Sequence, residues 1–313
     1  MVATFNFDCD GGKNVGSAFT AQARGTDPYT PGGRCRRLLG EILGWGLDFE
    51  ALRATVRDEG VALITGLPVD PYLPDTPQDG RRTFSKKTYV SEGLLNAVSY
   101  ALLMHPVAMH NEKEGELIHQ IASQHGAEAS ASNAGADVFP MHTEGTHMTL
   151  PPHVIALYCL RNTEHGATNF TSLDRAMKGA PPALIAALRA PDFTQSMGIS
   201  SGGGGRYPLA IINGCPTRPL YRVDFTDVEA TNRSAQGALD EFKERARTCE
   251  DQVILGPGDM VIINNHTSLH GRVGFTPDYS QNKQRWLQRQ YMTTHPWSGR
   301  KYDDRFPNVW HGG

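Results

Sequence analysis

The sequence predicts a mainly β (α+β) fold with a double-stranded β-helix, or jelly-roll, core and helices around it. Short β-like runs separated by turn residues follow one another from about residue 118 onward, and helical patterns interrupt them in two places. The 313 residues include 33 glycines and 20 prolines, about 17% together, which is typical of a fold with many turns. A doubly wound α/β sheet would instead require regular alternation of strands and helices.

The first 47 residues are rich in small and polar residue types, which predicts an irregular N-terminal arm before a single domain over 48–313. This domain is expected to begin with a helix over 48–58, because apolar residues recur there at helical spacing. The apolar run at 61–66 predicts a buried strand. The residues at 68–90, which are rich in proline and glycine, predict an exposed loop.

Helices and strands alternate irregularly in the remainder of the chain. Ser91 is expected to cap an apolar helix, and further helical patterns occupy 182–190 and 235–247, the last with Ser234 as its cap. A glycine-rich stretch at 200–206 predicts a flexible loop and is a candidate lid. Short apolar or β-branched runs predict strands at 154–160, 167–173, 252–255, 260–265 and 285–292.

Composition excludes several classes of function. Charged residues make up 20% of the chain and the net charge is -3, without a block of like charge, which argues against binding to nucleic acid or to an anionic membrane surface. No apolar run approaches the roughly 18 residues of a membrane helix, and the first residues do not form a signal peptide. The five cysteines form no C-x-x-C pair. The sequence therefore predicts a cytoplasmic protein.

Histidines and a glutamate offer a candidate metal site. His142 and Glu144 are two residues apart, so in extended backbone both side chains point the same way. A second histidine, His266 or His270, follows a strongly apolar strand. Two imidazoles and one carboxylate form the facial triad of non-haem Fe(II) oxygenases. The H-x-E pattern alone also arises by chance, and each histidine alone is equally compatible with a structural role.

Two arginines strengthen the interpretation as a metal site. Arg285 and Arg289 are four residues apart on an apolar strand pattern and therefore face the same side. Buried guanidinium groups are costly unless they meet anions, and their planar geometry suits carboxylates. Structural salt bridges are the alternative. With a metal triad nearby, the pair predicts an anchor for a dicarboxylate such as 2-oxoglutarate.

Several motifs in order, spread over most of residues 60–295, resemble one known family. The chain is similar to the clavaminate synthase-like group within the taurine dioxygenase-like Fe(II)/2-oxoglutarate oxygenases. The glutamate of the H-x-E motif is informative, because most of the wider family has aspartate there. The resemblance rests on VALITGLP at 61–68, the stretch that ends at Ser132, HTE at 142–144, HGATNFTS at 165–172, GDMVIINNHTSLHGRVGFTP at 258–277 and RWLQRQYM at 285–292.

This resemblance implies a jelly-roll fold, Fe(II) as the metal, and 2-oxoglutarate and O₂ as co-substrates. His270 rather than His266 keeps the family's distance to the arginine strand. The implied iron ligands are therefore His142, Glu144 and His270. Thr168 and Arg285 match the residues that hold the distal carboxylate of 2-oxoglutarate.

The resemblance also implies an amino-acid substrate. Arg289 matches an arginine that faces a substrate or co-substrate carboxylate, and Ser132 matches a serine near the α-amino group. Asp224 matches an aspartate that meets the cationic end of basic substrates, although a turn aspartate paired with Arg222 is the alternative. Asn133 stands where the family usually has an acid. The expected reaction is hydroxylation of an unactivated C–H bond of a free or lightly modified, basic L-amino acid in specialised metabolism, such as antibiotic biosynthesis.

Three further interpretations stay open at the level of sequence. The same cofactors can support desaturation or cyclisation in place of hydroxylation. A zinc hydrolase could use the same histidines, but the chain lacks an H-E-x-x-H motif and this class does not explain the two arginines. A non-catalytic, cupin-like binding module would keep the fold without the chemistry. The sequence does not determine the oligomeric state.

Overall fold

The computed structural model describes residues 2–7, 15–23, 28–29, 33–110, 112–148, 151–196, 205–295, 302–303 and 306–310 as a mixed α/β fold. The helices are α1 (Val15–Ala23), α2 (Gly33–Leu43), α3 (Phe49–Asp58), α4 (Val90–Ala101), α5 (Leu173–Ala176), α6 (Pro182–Arg189) and α7 (Arg233–Thr248). The strands of the first half are β1 (Ala3–Asn6), β2 (Val61–Thr65), β3 (His105–Met109), β4 (His119–Ala122), β5 (Phe139–His142), β6 (Val154–Arg161) and β7 (Thr168–Ser172). The remaining strands are β8 (Phe193–Ser196), β9 (Arg206–Leu209), β10 (Ile212–Cys215), β11 (Arg218–Tyr221), β12 (Glu229–Ala230), β13 (Asp251–Val253), β14 (Met260–Asn264), β15 (Ser268–Arg272), β16 (Trp286–Thr293), β17 (Tyr302–Asp303) and β18 (Phe306–Trp310).

The larger sheet has β16 near its centre. Within the described residues its strand order is β1-β2-β14-β6-β16-β3-β18-β17, and β4 also pairs with β16. Side chains alternate along β16, so its two faces meet different surroundings. Trp286 and Met292 pack with helices α1, α2 and α4, whereas Leu287 and Tyr291 belong to an apolar cluster on the opposite face.

The smaller sheet lies on that opposite face. Its order is β13-β7-β15-β5, and Phe170 of β7 packs in the same apolar cluster as Leu157 and Leu287 of the larger sheet. The two sheets therefore pack face to face. A third apolar cluster, which includes Phe193 and Phe242, joins α6 and α7 to the small sheets β12-β8-β9 and β10-β11.

Most predicted elements are present in the structure. Helix α3 matches the prediction for 48–58: the Asp48 carboxylate accepts hydrogen bonds from the backbone N–H groups of Glu50 and Ala51 at 2.9 and 3.0 Å. The chain then turns at Gly60, whose φ of 83° is readily adopted only by glycine. Strands β6, β7, β13, β14 and β16 overlap the predicted strands. The described residues of 68–90 contain no strand and no helix before Val90, as predicted, but the loop is not wholly exposed, because Asp70, Thr76 and Lys86 are buried.

The prediction of an irregular arm over 1–47 is wrong. Strand β1 pairs in parallel with β2, with Ala3 opposite Ala62, and helices α1 and α2 follow. Phe19 and Leu39 are fully buried against α4. Glycine and proline interrupt this part of the sequence, so local patterns hide short elements whose stability comes from packing against the rest of the domain.

Two predicted helix caps are also wrong. Ser91 lies inside α4, and the carboxylate of Asp70 instead accepts hydrogen bonds from the N–H groups of Val90 and Ser91 at 3.0 and 3.1 Å. Ser234 lies inside α7, where Asn232 is the cap. The candidate lid falls largely on residues 197–204, which lie outside the described residues. Among the described residues, no helix has both the length and the apolar composition needed to cross a membrane.

Candidate active site

The three predicted metal ligands meet between the two sheets. His142 ends β5 and lies directly opposite His270 of β15, with the ring centroids 4.3 Å apart. The Oε1 atom of Glu144, in the turn after β5, lies 3.9 Å from Nε2 of His142 and 3.7 Å from Nε2 of His270. Among the described residues, no other group of three histidine, cysteine or acidic side chains places its ligand atoms within 4.8 Å of one another.

Neighbouring groups orient these ligands. The Nδ1–H of His142 donates to the carbonyl of Pro140 at 2.9 Å, which leaves the Nε2 lone pair for a metal. The ring of Phe139 stacks on His142 at 4.2 Å. The side-chain amide of Asn265 holds the backbone of Glu144 by two hydrogen bonds, of 2.8 and 3.1 Å. Sequence reasoning missed Asn265, because a contact 121 residues away has no local signal.

Two of the three side chains have charge states that suit a divalent cation, whereas the hydrogen bond and charge of Glu144 outweigh burial and raise the pKa of His142. Burial and the adjacent His142 lower the pKa of His270 to about 4, so that imidazole is neutral at neutral pH. Burial alone would raise the pKa of Glu144, but Arg289 and the two histidines outweigh it and lower this pKa, so the carboxylate is ionised. Two imidazoles and one carboxylate are the donor set expected for non-haem iron. His266 does not join them; its ring packs on His153 at 4.5 Å.

Arg285 provides a buried positive charge beside this group. Its side chain is 5% exposed, and its Nη2 donates to the Thr168 hydroxyl at 3.3 Å. Its Nε has no hydrogen-bond partner, and no carboxylate of the described residues lies within 4.0 Å of the guanidinium. Burial lowers the pKa of Arg285 to about 10, so the group still carries its charge at neutral pH. A buried guanidinium in this situation is a candidate site for an anion.

Arg289, which lies within β16 and four residues after Arg285, has carboxylate partners. Its Nη1 donates to Oε1 of Glu144 at 2.5 Å, and its Nη2 contacts both Glu112 and Nδ1 of His119, the latter at 2.9 Å. The Tyr291 hydroxyl donates to Glu112, and the guanidinium lies 4.4 Å from the Tyr291 ring centroid. Burial would raise the pKa of Glu112, but Arg289 and His119 outweigh it and lower this pKa to about 2. Sequence reasoning missed Glu112, which lies in an ordinary charged stretch.

The two remaining predicted residues differ in their positions. Asp224 forms an isolated antiparallel bridge with His142, which places both side chains on the same face. Its backbone is held by Gln195, and its Oδ1 accepts from the N–H of Thr226 at 2.8 Å. The hydroxyl of Ser132, by contrast, accepts from the N–H of Ala134 at 3.2 Å and from the hydroxyl of Ser130 at 2.8 Å, as part of a turn.

A cavity of about 50 Å³ lies between the sheets at this point. Asn133, rather than Ser132, reaches its wall. Both sheets contribute to the lining, which contains Ile121, Asn133, Phe139, His142, Glu144, Leu157, Thr168, His270, Gly271, Arg272, Arg285, Leu287 and Arg289. The cavity therefore combines the metal-ligand group, the candidate anion site at Arg285 and a few apolar side chains.

A buried group of two histidines and one carboxylate, beside an arginine without a carboxylate partner, fits an iron-dependent oxygenase that uses an anionic co-substrate. Residues 43–291 match the family described as taurine catabolism dioxygenase TauD, TfdA family, and the chain belongs to this family. The predicted enzyme class, an Fe(II)/2-oxoglutarate-dependent dioxygenase, is thereby confirmed. The alternatives of a zinc hydrolase and a non-catalytic binding module are correspondingly disfavoured.

Individual relatives are identical to this chain at about a quarter of the aligned residues. The L-asparagine oxygenase of Streptomyces coelicolor is 28% identical over 252 residues, which cover 79% of this chain and 75% of the relative. Clavaminate synthase 2 of Streptomyces clavuligerus is 26% identical over 264 residues, with coverages of 80% and 79%. The L-lysine 3-hydroxylase of Catenulispora acidiphila is 26% identical over 250 residues, with coverages of 75% and 67%.

Solved structures show the same fold. An asparagine oxygenase in complex with Fe(II), 2S,3S-3-hydroxyasparagine and succinate superposes with a TM-score of 0.82 at 24% identity, and 99% of each chain is covered. The non-heme iron oxygenase OrfP in complex with Fe and alpha-ketoglutaric acid gives a TM-score of 0.84 at 22% identity, with coverages of 99% and 100%. The prediction of sheets surrounded by helices is therefore confirmed at the level of the overall fold.

Proposed function

We propose that this protein hydroxylates an unactivated C–H bond of a free L-α-amino acid, with 2-oxoglutarate and O₂ as co-substrates and succinate and CO₂ as co-products. The observation that carries the proposal is the combination, in one cavity, of the metal-ligand group with two buried arginines in different charge environments. The relatives named above include an asparagine oxygenase and a lysine hydroxylase, which supports an amino acid as substrate.

His142, Glu144 and His270 would hold the iron. The hydrogen bond from His142 to Pro140 and the amide of Asn265 keep two of these ligands in place before the metal arrives. Bound iron, together with 2-oxoglutarate and O₂, supplies the oxidising chemistry that no side chain of this protein can supply. The apolar walls formed by Ile121 and Leu287 exclude water from the reacting C–H bond.

Arg285 would bind the distal carboxylate of 2-oxoglutarate. Its guanidinium is buried and already in contact with Thr168, so it is oriented before the co-substrate binds. A carboxylate there would neutralise the buried charge and could accept two parallel hydrogen bonds. The Thr168 hydroxyl, in contact with the same guanidinium, would be a second donor to this carboxylate.

Arg289 would bind the α-carboxylate of the amino acid. This guanidinium donates hydrogen bonds to the carboxylates of Glu144 and Glu112. A substrate carboxylate would therefore compete with them for its N–H groups. A zwitterionic amino acid presents an ammonium group beside its carboxylate. Glu112 provides a negative charge in contact with Arg289, and Asn133 reaches the cavity wall from the loop that also carries Ser132.

Asp224 supports a basic side chain in the substrate. Its backbone bridges to His142, so its side chain lies on the same face as that imidazole, although Asp224 does not line the cavity. A cationic head group moved out of water would need such an opposite charge. The test is a panel of arginine, lysine, ornithine, asparagine, glutamine and leucine. Wild type is expected to prefer a basic amino acid, and Asp224→Ala is expected to lose roughly 2–5 kcal/mol in kcat/KM for it. A preference of wild type for a neutral amino acid would contradict the basic-substrate part alone.

The reaction type is tested on the same panel. Succinate formation that depends on an added amino acid identifies the substrate, and mass spectrometry identifies the outcome. Hydroxylation adds one oxygen atom, whereas desaturation or cyclisation removes two hydrogen atoms. We further infer that the two face-to-face sheets, with β14 and β15 joined in sequence across them, form the predicted double-stranded β-helix.

A further inference from the structure

Arg272 is a third buried arginine at the cavity, and neither sequence motifs nor the proposed chemistry gives it a role. It lies on β15, two residues after His270, and is 6% exposed. No carboxylate of the described residues lies within 4.0 Å of its guanidinium. Its Nη1 donates instead to the carbonyl of Ser132 at 2.9 Å, and its Nε and Nη2 donate to the carbonyl of Asp137 at 3.1 and 2.9 Å.

These three hydrogen bonds account for how the charge is tolerated. A buried guanidinium is costly unless its N–H groups are satisfied, and the planar fork of arginine can address two separate carbonyls at once. Burial and the neighbouring Arg285 lower the pKa of Arg272 to about 10, so the group is still charged at neutral pH. Arg272 also lies directly opposite Thr168 on β7. Arg272 therefore adjoins Thr168, which contacts Arg285, and it also binds the carbonyls of Ser132 and Asp137.

Those carbonyls belong to residues 124–138, which we call the 124–138 loop. The loop contains no helix or strand, and most of its backbone hydrogen bonds are internal, among them those from Ala136 and Asp137 to the carbonyl of Glu128. The N–H of Phe275 also donates to the carbonyl of Ala136. It brings Asn133 to the cavity wall and leads directly into Phe139, which stacks on His142. The position of this wall therefore depends on the contacts that fix the loop.

We propose that Arg272 is a positioning residue that fixes the 124–138 loop to the strand carrying His270, and thereby sets the wall against which the amino acid binds. The inference rests on the proposed function for its kinetic consequence. The loop carries no predicted ligand of 2-oxoglutarate. Loss of Arg272 should therefore impair binding of the amino acid much more than binding of 2-oxoglutarate.

The experiment compares Arg272→Met with wild type and with Arg53→Met. Arg53 is a matched control, because it also donates to a backbone carbonyl, that of Ala101 at 2.7 Å, but lies on α3. For the best amino acid of the panel, Arg272→Met is expected to raise KM by about tenfold or more, and KM for 2-oxoglutarate by less than about threefold. More succinate should form per hydroxylated product. Arg53→Met should change none of these quantities.

Two further variants distinguish the position of the loop from the charge of Arg272 and from a general loss of folding. Arg272→Lys keeps the charge but cannot address both carbonyls in the same geometry, so its KM for the amino acid should lie nearer to that of Arg272→Met. Gly135→Ala perturbs the loop side of the same contact, since a Cβ there would lie 1.8 Å from the Ser130 carbonyl oxygen and 2.8 Å from Nη2 of Arg272. It should reproduce the same KM pattern, and it decides the question if Arg272→Met does not fold.

A protease readout is independent of activity. Cleavage after Glu128 by a glutamate-specific protease requires release of the loop, and it should be about tenfold faster in Arg272→Met than in wild type or Arg53→Met. Unchanged cleavage and an unchanged KM for the amino acid in a folded Arg272→Met would overturn the proposal, as would full recovery in Arg272→Lys. A wild type that forms no succinate with any amino acid contradicts the proposed function instead, and the protease comparison then decides whether Arg272 fixes the loop.

Discussion

Arg285, immediately before β16, and Arg289, within β16, both line the cavity and are almost equally buried, at 5% and 4% exposed, yet their surroundings differ in charge. Arg285 contacts the hydroxyl of Thr168 and no described carboxylate. Arg289 contacts the carboxylates of Glu144 and Glu112. The role proposed for Arg285 is therefore to bind an anion directly, whereas an anion at Arg289 would compete with the carboxylates already in contact with that guanidinium. The metal-ligand group lies beside both.

The largest expected effect tests whether that group is the metal site. His270→Ala is expected to abolish Fe(II) binding and succinate formation, because only two ligands would remain. His266→Ala is the matched control, since His266 packs on His153 and not on Glu144. Iron binding is measured by anaerobic titration, and folding by thermal unfolding without metal. Loss of iron binding in His266→Ala but not in His270→Ala would show that the wrong histidine is assigned.

Substituting each of the two arginines in turn tests whether Arg285 and Arg289 have separate roles. Arg285→Gln should cost roughly 2–5 kcal/mol in kcat/KM for 2-oxoglutarate, because it removes a desolvated ion pair. Arg289→Gln should have its main effect on the KM of the amino acid. Lysine should rescue Arg285 poorly, since one ammonium group cannot reproduce two parallel hydrogen bonds. Equal effects of the two variants on both KM values would contradict the assignment of separate roles.

Removal of the partner carboxylate of Arg289 should give a smaller, pH-dependent effect on stability. Glu112→Gln is expected to lower the free energy of unfolding at pH 7 by about 1–3 kcal/mol, because a hydrogen-bonded ion pair is lost. The pKa of Glu112 is lowered to about 2 in the folded protein, so the contribution is present above the unfolded value near 4.5 and is lost as the pH falls towards 2. Denaturant unfolding of wild type and Glu112→Gln at pH 7 and pH 3 measures the difference in their free energies of unfolding. If this difference in the free energy of unfolding is larger at pH 3 than at pH 7, the expected sign is wrong.

The smallest effect concerns the hydroxyl beside Arg285. Thr168→Val removes the acceptor of the 3.3 Å hydrogen bond while it keeps the shape of the side chain. It should cost about 0.5–1.5 kcal/mol in kcat/KM for 2-oxoglutarate. Thr168→Ser keeps the hydroxyl and should behave like wild type. A larger loss in Thr168→Ser than in Thr168→Val would indicate that packing, and not the hydrogen bond, is what Thr168 contributes.

Sequence alone was sufficient where the chemistry depends on spacing within one segment. The two-residue interval between His142 and Glu144 predicts side chains on one side, and the four-residue interval between Arg285 and Arg289 does the same on a strand. Helix α3 was predictable for the same reason, since its cap Asp48 and its apolar face are local. Motif order then located His270, although His266 was an equal candidate by pattern alone.

Only the tertiary structure decided which distant groups meet these residues. Asn265 holds Glu144 across 121 residues, and Asp70 caps α4 from 20 residues away. Glu112 and Arg272 look like ordinary charged residues in the sequence, because their roles depend on partners that the fold brings together. The same holds for the N-terminal strand and helices, whose short and interrupted patterns become stable only when they are buried against β2 and α4. Local spacing is a property of the chain, whereas these contacts exist only after long-range packing has formed.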